Sequence, residues 1–191
     1  IIDELMIGYI RNILFSFFLW EISLYGILLL YIDFSANQFS LLPVGMMIGY
    51  LFGIYILRFC NRVSDLTIIK WGYYFSILSL VPLLIVLPFV KEIDRYFLTF
   101  CYFFHSMGNA FLCPTLFAII SKVSPPHEWG RKYGLVESSD SLAFLSAFII
   151  LLMREALGLG LGIMIAISFA SILFSLLPYR RFRQIVPKKI K

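Results

Sequence analysis

"GRKYGLVESSDSLAFLSAFIILL", residues 130–152, decides how this chain folds. Arg131 and Lys132 lead into a long apolar run, and Glu137 and Asp140 stand inside it. About 20 residues at about 1.5 Å rise each cross a hydrocarbon core of about 30 Å, so the run has spanning length. A charged side chain near the membrane centre costs about 2.5–3.5 kcal/mol on insertion scales, so carboxylates at such depth face a cavity and not lipid. Residues three apart share a helix face, which puts Glu137, Ser138, Asp140 and Ser141 on one broad side and Leu135, Val136, Leu142 and Ala143 on the other. By helical rise Glu137 lies about 9–10 Å into the span and Asp140 about 14 Å, close to mid-membrane.

The rest of the chain repeats this apolar character. It is 61% hydrophobic and 14% charged, with a mean hydropathy of +0.91. A soluble domain needs about a quarter of its residues charged, so the composition is that of an integral membrane protein. Six apolar stretches are read as helices at about 12–32, 41–57, 68–90, 96–121, 131–153 and 157–178. The runs are continuous and do not alternate, which favours helices over a barrel. The breaks are "DFSANQFS", "RFCNRVSD", "KEIDR", "KVSPPHEWGRK" and "REALG", and a basic tail occupies 179–191. The start at Ile1, with Asp3 and Glu4 close behind, is unlike a signal peptide and fits a chain cut from a longer one. Cys60, Cys101 and Cys113 lack disulfide or zinc-ligand spacing, so no metal site and no cofactor are expected.

Lysines and arginines set the orientation. With the N-terminus inside, thirteen fall on the inner side and only Lys91, Arg95 and Arg154 on the outer. Both termini are therefore expected in the cytoplasm, and the membrane is taken as a bacterial inner (plasma) membrane. Positive-inside retention, together with anionic lipid, also accounts for the net charge of +5 without nucleic acid.

Polar residues within the spans mark the candidate site. Glu21 stands in the first span beside Trp20 and four residues before Tyr25; His105 and Asn109 lie in the fourth; Glu137, Asp140 and Ser141 lie in the fifth. Spans one, four and five are therefore expected to line something polar, and spans three and six to face lipid. Glu21 and Asp140 are the candidate proton-coupling groups. Trp20, Tyr25, His105, Asn109, Glu137 and Ser141 are candidates for the substrate cavity. Two alternatives stay open: an ion pair of Glu137 or Asp140 with Arg58 or Arg62, and a neutral His105 bonded to a neighbouring helix. Gly45, Gly49 and Gly53 in span two, and Ala143 and Ala147 in span five, form small-residue stripes that allow close helix packing. Pro82, Pro88 and Pro114 interrupt spans three and four, where kinks are expected.

Two stretches resemble the major facilitator superfamily of secondary transporters. "LRFCNRVSDLTIIKWG", residues 57–72, resembles a decayed form of the family loop signature G-x-L-x-D-R-x-G-R-R. Asn61 stands at its Asp, Arg62 matches its Arg and Gly72 a later Gly, while Leu57 and Ser64 replace glycines and Asp65 a basic residue. "GNAFLCPTLFAIISKVSPPHEWGRKYGLVESSDSLAFLSAF", residues 108–148, is similar to the family's fourth-to-fifth helix link, with Gly108, Pro114, Thr115, Ala118, Ser121, Pro125, Pro126, Gly130 and Gly134 in register.

The resemblance implies an all-α integral membrane fold for 1–191: the C-terminal six-helix half of a transporter, built from two inverted three-helix units. In such a half the first and fourth helices line the cavity, the second and fifth meet the other half, and the third and sixth face lipid. The implied partners are the lipid bilayer, a missing N-terminal six-helix half, a small-molecule substrate and protons. The implied activity is alternating-access, proton-coupled transport, closest to the drug:proton antiporter branch that carries out multidrug efflux. No enzyme is expected: no G-x-S motif lies in a span, and His105 has no evident nucleophile partner. The alternative from a different class is a half-size, non-transporting interaction or sensor module that dimerises.

Overall fold

The computed structural model describes residues 2–34, 41–86, 95–160 and 162–185, and all of its regular structure is helical. The helices are α1 (Ile2–Phe34), α2 (Leu41–Leu57), α3 (Asp65–Val86), α4 (Arg95–Val123), α5 (Trp129–Ala156) and α6 (Gly162–Ile185), with a single 3₁₀ turn at Pro126–Glu128 before α5. Among the described residues, four helices, α3 to α6, are long and apolar enough to cross a membrane. That makes the chain a multi-pass integral membrane protein. The fourth helix has 61% of its apolar window buried and α5 only 22%. So α4 is the central post of the bundle.

The helix ends follow local chemistry. Ser64 precedes α3 and accepts a hydrogen bond from the Thr67 N–H at 3.3 Å, an N-cap that starts the helix three residues before the expected 68. The expected end at 90 lies outside the described residues, as do Pro88 and most of the first and third breaks. Gly158 takes a left-handed φ of 62°. Its N–H bonds to the Glu155 carbonyl at 3.1 Å, and the Leu159 N–H bonds to the Arg154 carbonyl at 3.0 Å. These two bonds close α5 as a Schellman motif, which only a residue tolerant of positive φ completes cheaply. The expected start of the sixth span at 157 therefore falls in this cap, and α6 begins at Gly162. At its other end α6 runs through Pro178 to Ile185, so the first part of the expected basic tail is helical.

The main packings pair α1 with α5 and α6, α4 with α2 and α3, and α3 with α6. Exchanging helices one to three with helices four to six, in order, leaves this set unchanged. Small residues bring the partners together. Along α2, a Cβ on Gly45 would meet Thr99 Cγ2 at 2.5 Å and one on Gly53 would meet Ala110 Cβ at 2.6 Å, while one on Gly49 would run into the Phe103 carbonyl oxygen. On α5, Ala143 and Ala147 are fully buried. The third and fourth helices cross where Gly72 and Gly108 meet: a Cβ on Gly108 would stand 2.7 Å from the Gly72 oxygen.

The third and sixth helices are two-faced. Each buries one polar face, Ser76 and Ser79 on α3 and Ser168, Ser171 and Ser175 on α6, and exposes an apolar one. Serine hydroxyls bonded to carbonyls of their own helix, such as Ser76 to Gly72 at 3.0 Å and Ser175 to Ile172 at 2.6 Å, make that burial cheap without an ionisable group. The most open helices are α2 and α5, whose outer faces carry exposed Met47, Leu51, Phe52, Leu145, Phe148 and Met153.

The close α2–α4 approach is testable. Gly49→Ala gains about 1 kcal/mol of helix propensity but drives a methyl into a backbone oxygen, and overpacking costs about 1–3 kcal/mol. Gly134→Ala gains the same propensity with nothing within 4 Å of the new Cβ. In detergent, the melting temperature is expected to fall for Gly49→Ala and to hold or rise for Gly134→Ala. Equal behaviour of the two would refute the tight contact.

Candidate functional site

The carboxyl cluster is assembled across the α1–α5 contact. Glu21 is only 3% exposed. Its carboxyl faces that of Asp140 closely enough to interact directly, and Glu137 acts on it from further along α5. Tyr25, one helical turn after Glu21, donates its O–H to Asp140 Oδ1 at 2.8 Å. The Tyr25 ring packs edge-on against Phe144 at 5.1 Å, which fixes the direction of that bond. One oxygen of Glu21, Oε2, is enclosed with no hydrogen-bond partner. A buried acceptor left unmatched is uncommon and calls for an explanation.

The fourth helix supplies the other wall. Tyr102 is fully buried beside Glu21, and its O–H has no hydrogen-bond partner either. Cys113 lies within electrostatic reach of Glu21, Glu137 and Asp140. Asn109 is half-buried, with its Oδ1 enclosed and unmatched. Tyr102, Asn109 and Cys113 are seven and four residues apart and so lie on one stripe of α4. Tyr102 and Cys113 were missed as candidates because neither is ionised at neutral pH. Their spacing from Asn109 was the available signal.

Trp20 and His105 belong to a different cluster. The two rings stack 5.1 Å apart at 11°. Trp20 Nε1–H donates to Ser76 Oγ at 2.8 Å, and Ser76 passes its own hydrogen to Gly72 O. Ser79 Oγ donates to Ser76 O at 2.6 Å and lies 3.0 Å from His105 Nδ1, while Ser23 Oγ lies 3.5 Å from His105 Nε2. With its hydrogen spent on Ser76, Ser79 can only accept from Nδ1–H. Nε2 is then the acceptor for Ser23, and every donor and acceptor in the chain is matched with a neutral imidazole. The neutral, helix-bonded alternative for His105 is thus the one the geometry favours.

The remaining candidates are dispersed. Glu137 and Ser141 are exposed, and Ser141 donates to the Glu137 carbonyl at 3.0 Å. Asn61 and Arg62 are exposed at the turn after α2, while Gly72 is buried in the α3–α4 crossing. The ion pairs between described residues are Lys122–Asp65 at 2.5 Å and Lys132–Glu128 at 2.6 Å, so neither Arg58 nor Arg62 pairs with Glu137. Lys132 also donates to Ser124 Oγ at 2.9 Å, which ties the α4–α5 link together. Among the described residues, no group of three His, Cys, Asp or Glu is placed to hold a metal ion. No protein-family model, no curated protein and no solved structure matches the chain.

Ser76→Ala separates the two clusters. It leaves the Trp20 N–H buried without an acceptor, at a cost of about 1–3 kcal/mol. The melting temperature is expected to drop while the pH dependence of any transport stays that of the parent. A shifted pH profile would make the His105 network part of the proton path.

Proposed function

We propose that this chain is the C-terminal six-helix half of a proton-coupled secondary transporter of the major facilitator type, moving a small molecule by alternating access. The observation that carries the proposal is the buried Glu21 against the half-buried Asp140, with one Glu21 oxygen unmatched. Two carboxylates side by side in a low-dielectric setting repel each other, and a proton or a bound cation relieves the repulsion. Asp140 has a donor in Tyr25, and Glu21 Oε2 has none. Glu21 is therefore assigned to carry the transported proton, and Asp140 to adjust how tightly it is held. Each protonation form of the pair favours a different packing of α1 against α5, which couples proton binding to a change of conformation.

Three further features support this function. The packing set is unchanged when the two three-helix units are exchanged, as an inverted repeat requires. The polar walls come from α1, α4 and α5, with the first and fourth central. The apolar faces left open on α2 and α5 are where the resemblance puts the other half. On this account residues 1–191 form one wall of the cavity, the six spans leave both termini in the cytoplasm, and the substrate passes between the halves.

In the full-length protein, Glu21→Gln is expected to abolish proton-driven accumulation while substrate exchange survives. Asp140→Asn should do the same or shift its pH profile, and Glu137→Gln should do less. Uptake or efflux with the parental pH dependence in both Glu21→Gln and Asp140→Asn would sink the assignment. Orientation is tested separately through Cys60, at the end of α2. An impermeant thiol reagent is expected to label it from the cytoplasmic side only, and labelling from outside intact cells would reverse the topology.

A further inference from the structure

Away from the carboxyl cluster, the start of α3 and the end of α6 enclose a cleft of about 370 Å³ lined by Ser64, Thr67, Lys70, Trp71, Tyr74 and Tyr179. Tyr179 closes one side by donating to the Leu66 carbonyl at 2.9 Å. Ser64 Oγ and Thr67 Oγ1 are 2.9 Å apart and share one hydrogen bond. Two hydroxyls that share one bond leave one O–H free to donate. The Lys70 ammonium lies 5.3 Å over the Tyr74 ring and is in no ion pair with a described carboxylate. Asp65, the acidic residue nearest in sequence, is held by Lys122 and points to the opposite side of α3 by helical spacing. The cleft therefore offers a cation and a hydroxyl donor, beside three aromatic side chains of the kind enriched at membrane interfaces.

What lies beyond the cleft tells which anion fits. Thr67, Tyr74, Leu78, Val81 and Ile85 fall on one stripe of α3 by helical spacing. Tyr74, Leu78, Val81 and Ile85 are all exposed, at 56%, 53%, 36% and 61%. From Tyr74 to Ile85 this apolar track runs about 16 Å at about 1.5 Å per residue. A small soluble anion has no use for such a track, whereas an acyl chain attached to the same phosphate does. We propose that the cleft binds the phosphate headgroup of an anionic phospholipid, held by Lys70 and the Ser64–Thr67 hydroxyl pair, with its acyl chain along the α3 track.

Native mass spectrometry of the intact protein, released from nanodiscs, tests this with phosphatidylglycerol and with phosphatidylcholine of identical chains. The wild type is expected to retain phosphatidylglycerol in preference. Lys70→Gln should weaken that retention about five-fold, the factor equal to about 1 kcal/mol per basic residue near a membrane surface. Lys70→Arg should restore it, and phosphatidylcholine should be unaffected throughout. Ser64→Ala combined with Thr67→Val should weaken phosphatidylglycerol as well, without touching the charge. Soluble glycerol phosphate should not displace the lipid at millimolar concentration. Unchanged phosphatidylglycerol retention in Lys70→Gln, or equal loss of both lipids, would overturn the site. Displacement by glycerol phosphate would overturn the lipid as its ligand.

Discussion

Hydrocarbon offers no hydrogen bonds, so every polar group inside these helices must find its partner within the bundle. That constraint orders the whole structure. Serines on α3 and α6 are neutralised by carbonyls of their own helices, and Trp20 and His105 by a chain of serines that joins three helices. Once these are matched, the unmatched buried oxygens of Glu21, Tyr102 and Asn109 remain among the described residues. All three lie on helices that meet at the carboxyl cluster. The serines of the bundle are satisfied, and a carboxylate oxygen of Glu21 is not.

Close packing makes the cluster possible. Glycines bring α2 close against α4, and α5 buries two small alanines, Ala143 and Ala147, on the helix that packs mainly against α1. Larger residues at Ala143 or Ala147 would hold α5 away and separate Asp140 from Glu21 and Tyr25. The outer faces of α2 and α5 stay open, with apolar side chains such as Met47, Leu51, Leu145 and Met153 exposed.

Much of the fold was legible in the sequence. Apolar runs broken by Pro, Gly and charge give the helices, and the glycine spacing in α2 gives the face that meets α4. The misplaced ends have local causes. Gly158 completes a cap that a hydropathy pattern does not register, and α6 runs through Pro178 past the expected end of the span at 178. The carboxylates were legible too, because charge inside an apolar run stands out. Tyr102 and Cys113 were not, since burial and an unmatched hydroxyl appear only when helices are packed. The division between a structural His105 and a carboxyl site likewise depends on hydrogen-bond partners up to 82 positions away in the chain.

The central claim is that the α1–α5 contact holds a titrating proton on the Glu21–Asp140 pair. Infrared difference spectroscopy of the membrane-embedded protein, cycled between two pH values, reads protonated carboxyl groups directly. The account predicts a protonated-carboxyl band that shifts in heavy water, disappears in Glu21→Gln and moves in Tyr25→Phe, whose variant loses the bond to Asp140. A band unchanged in both variants would contradict it.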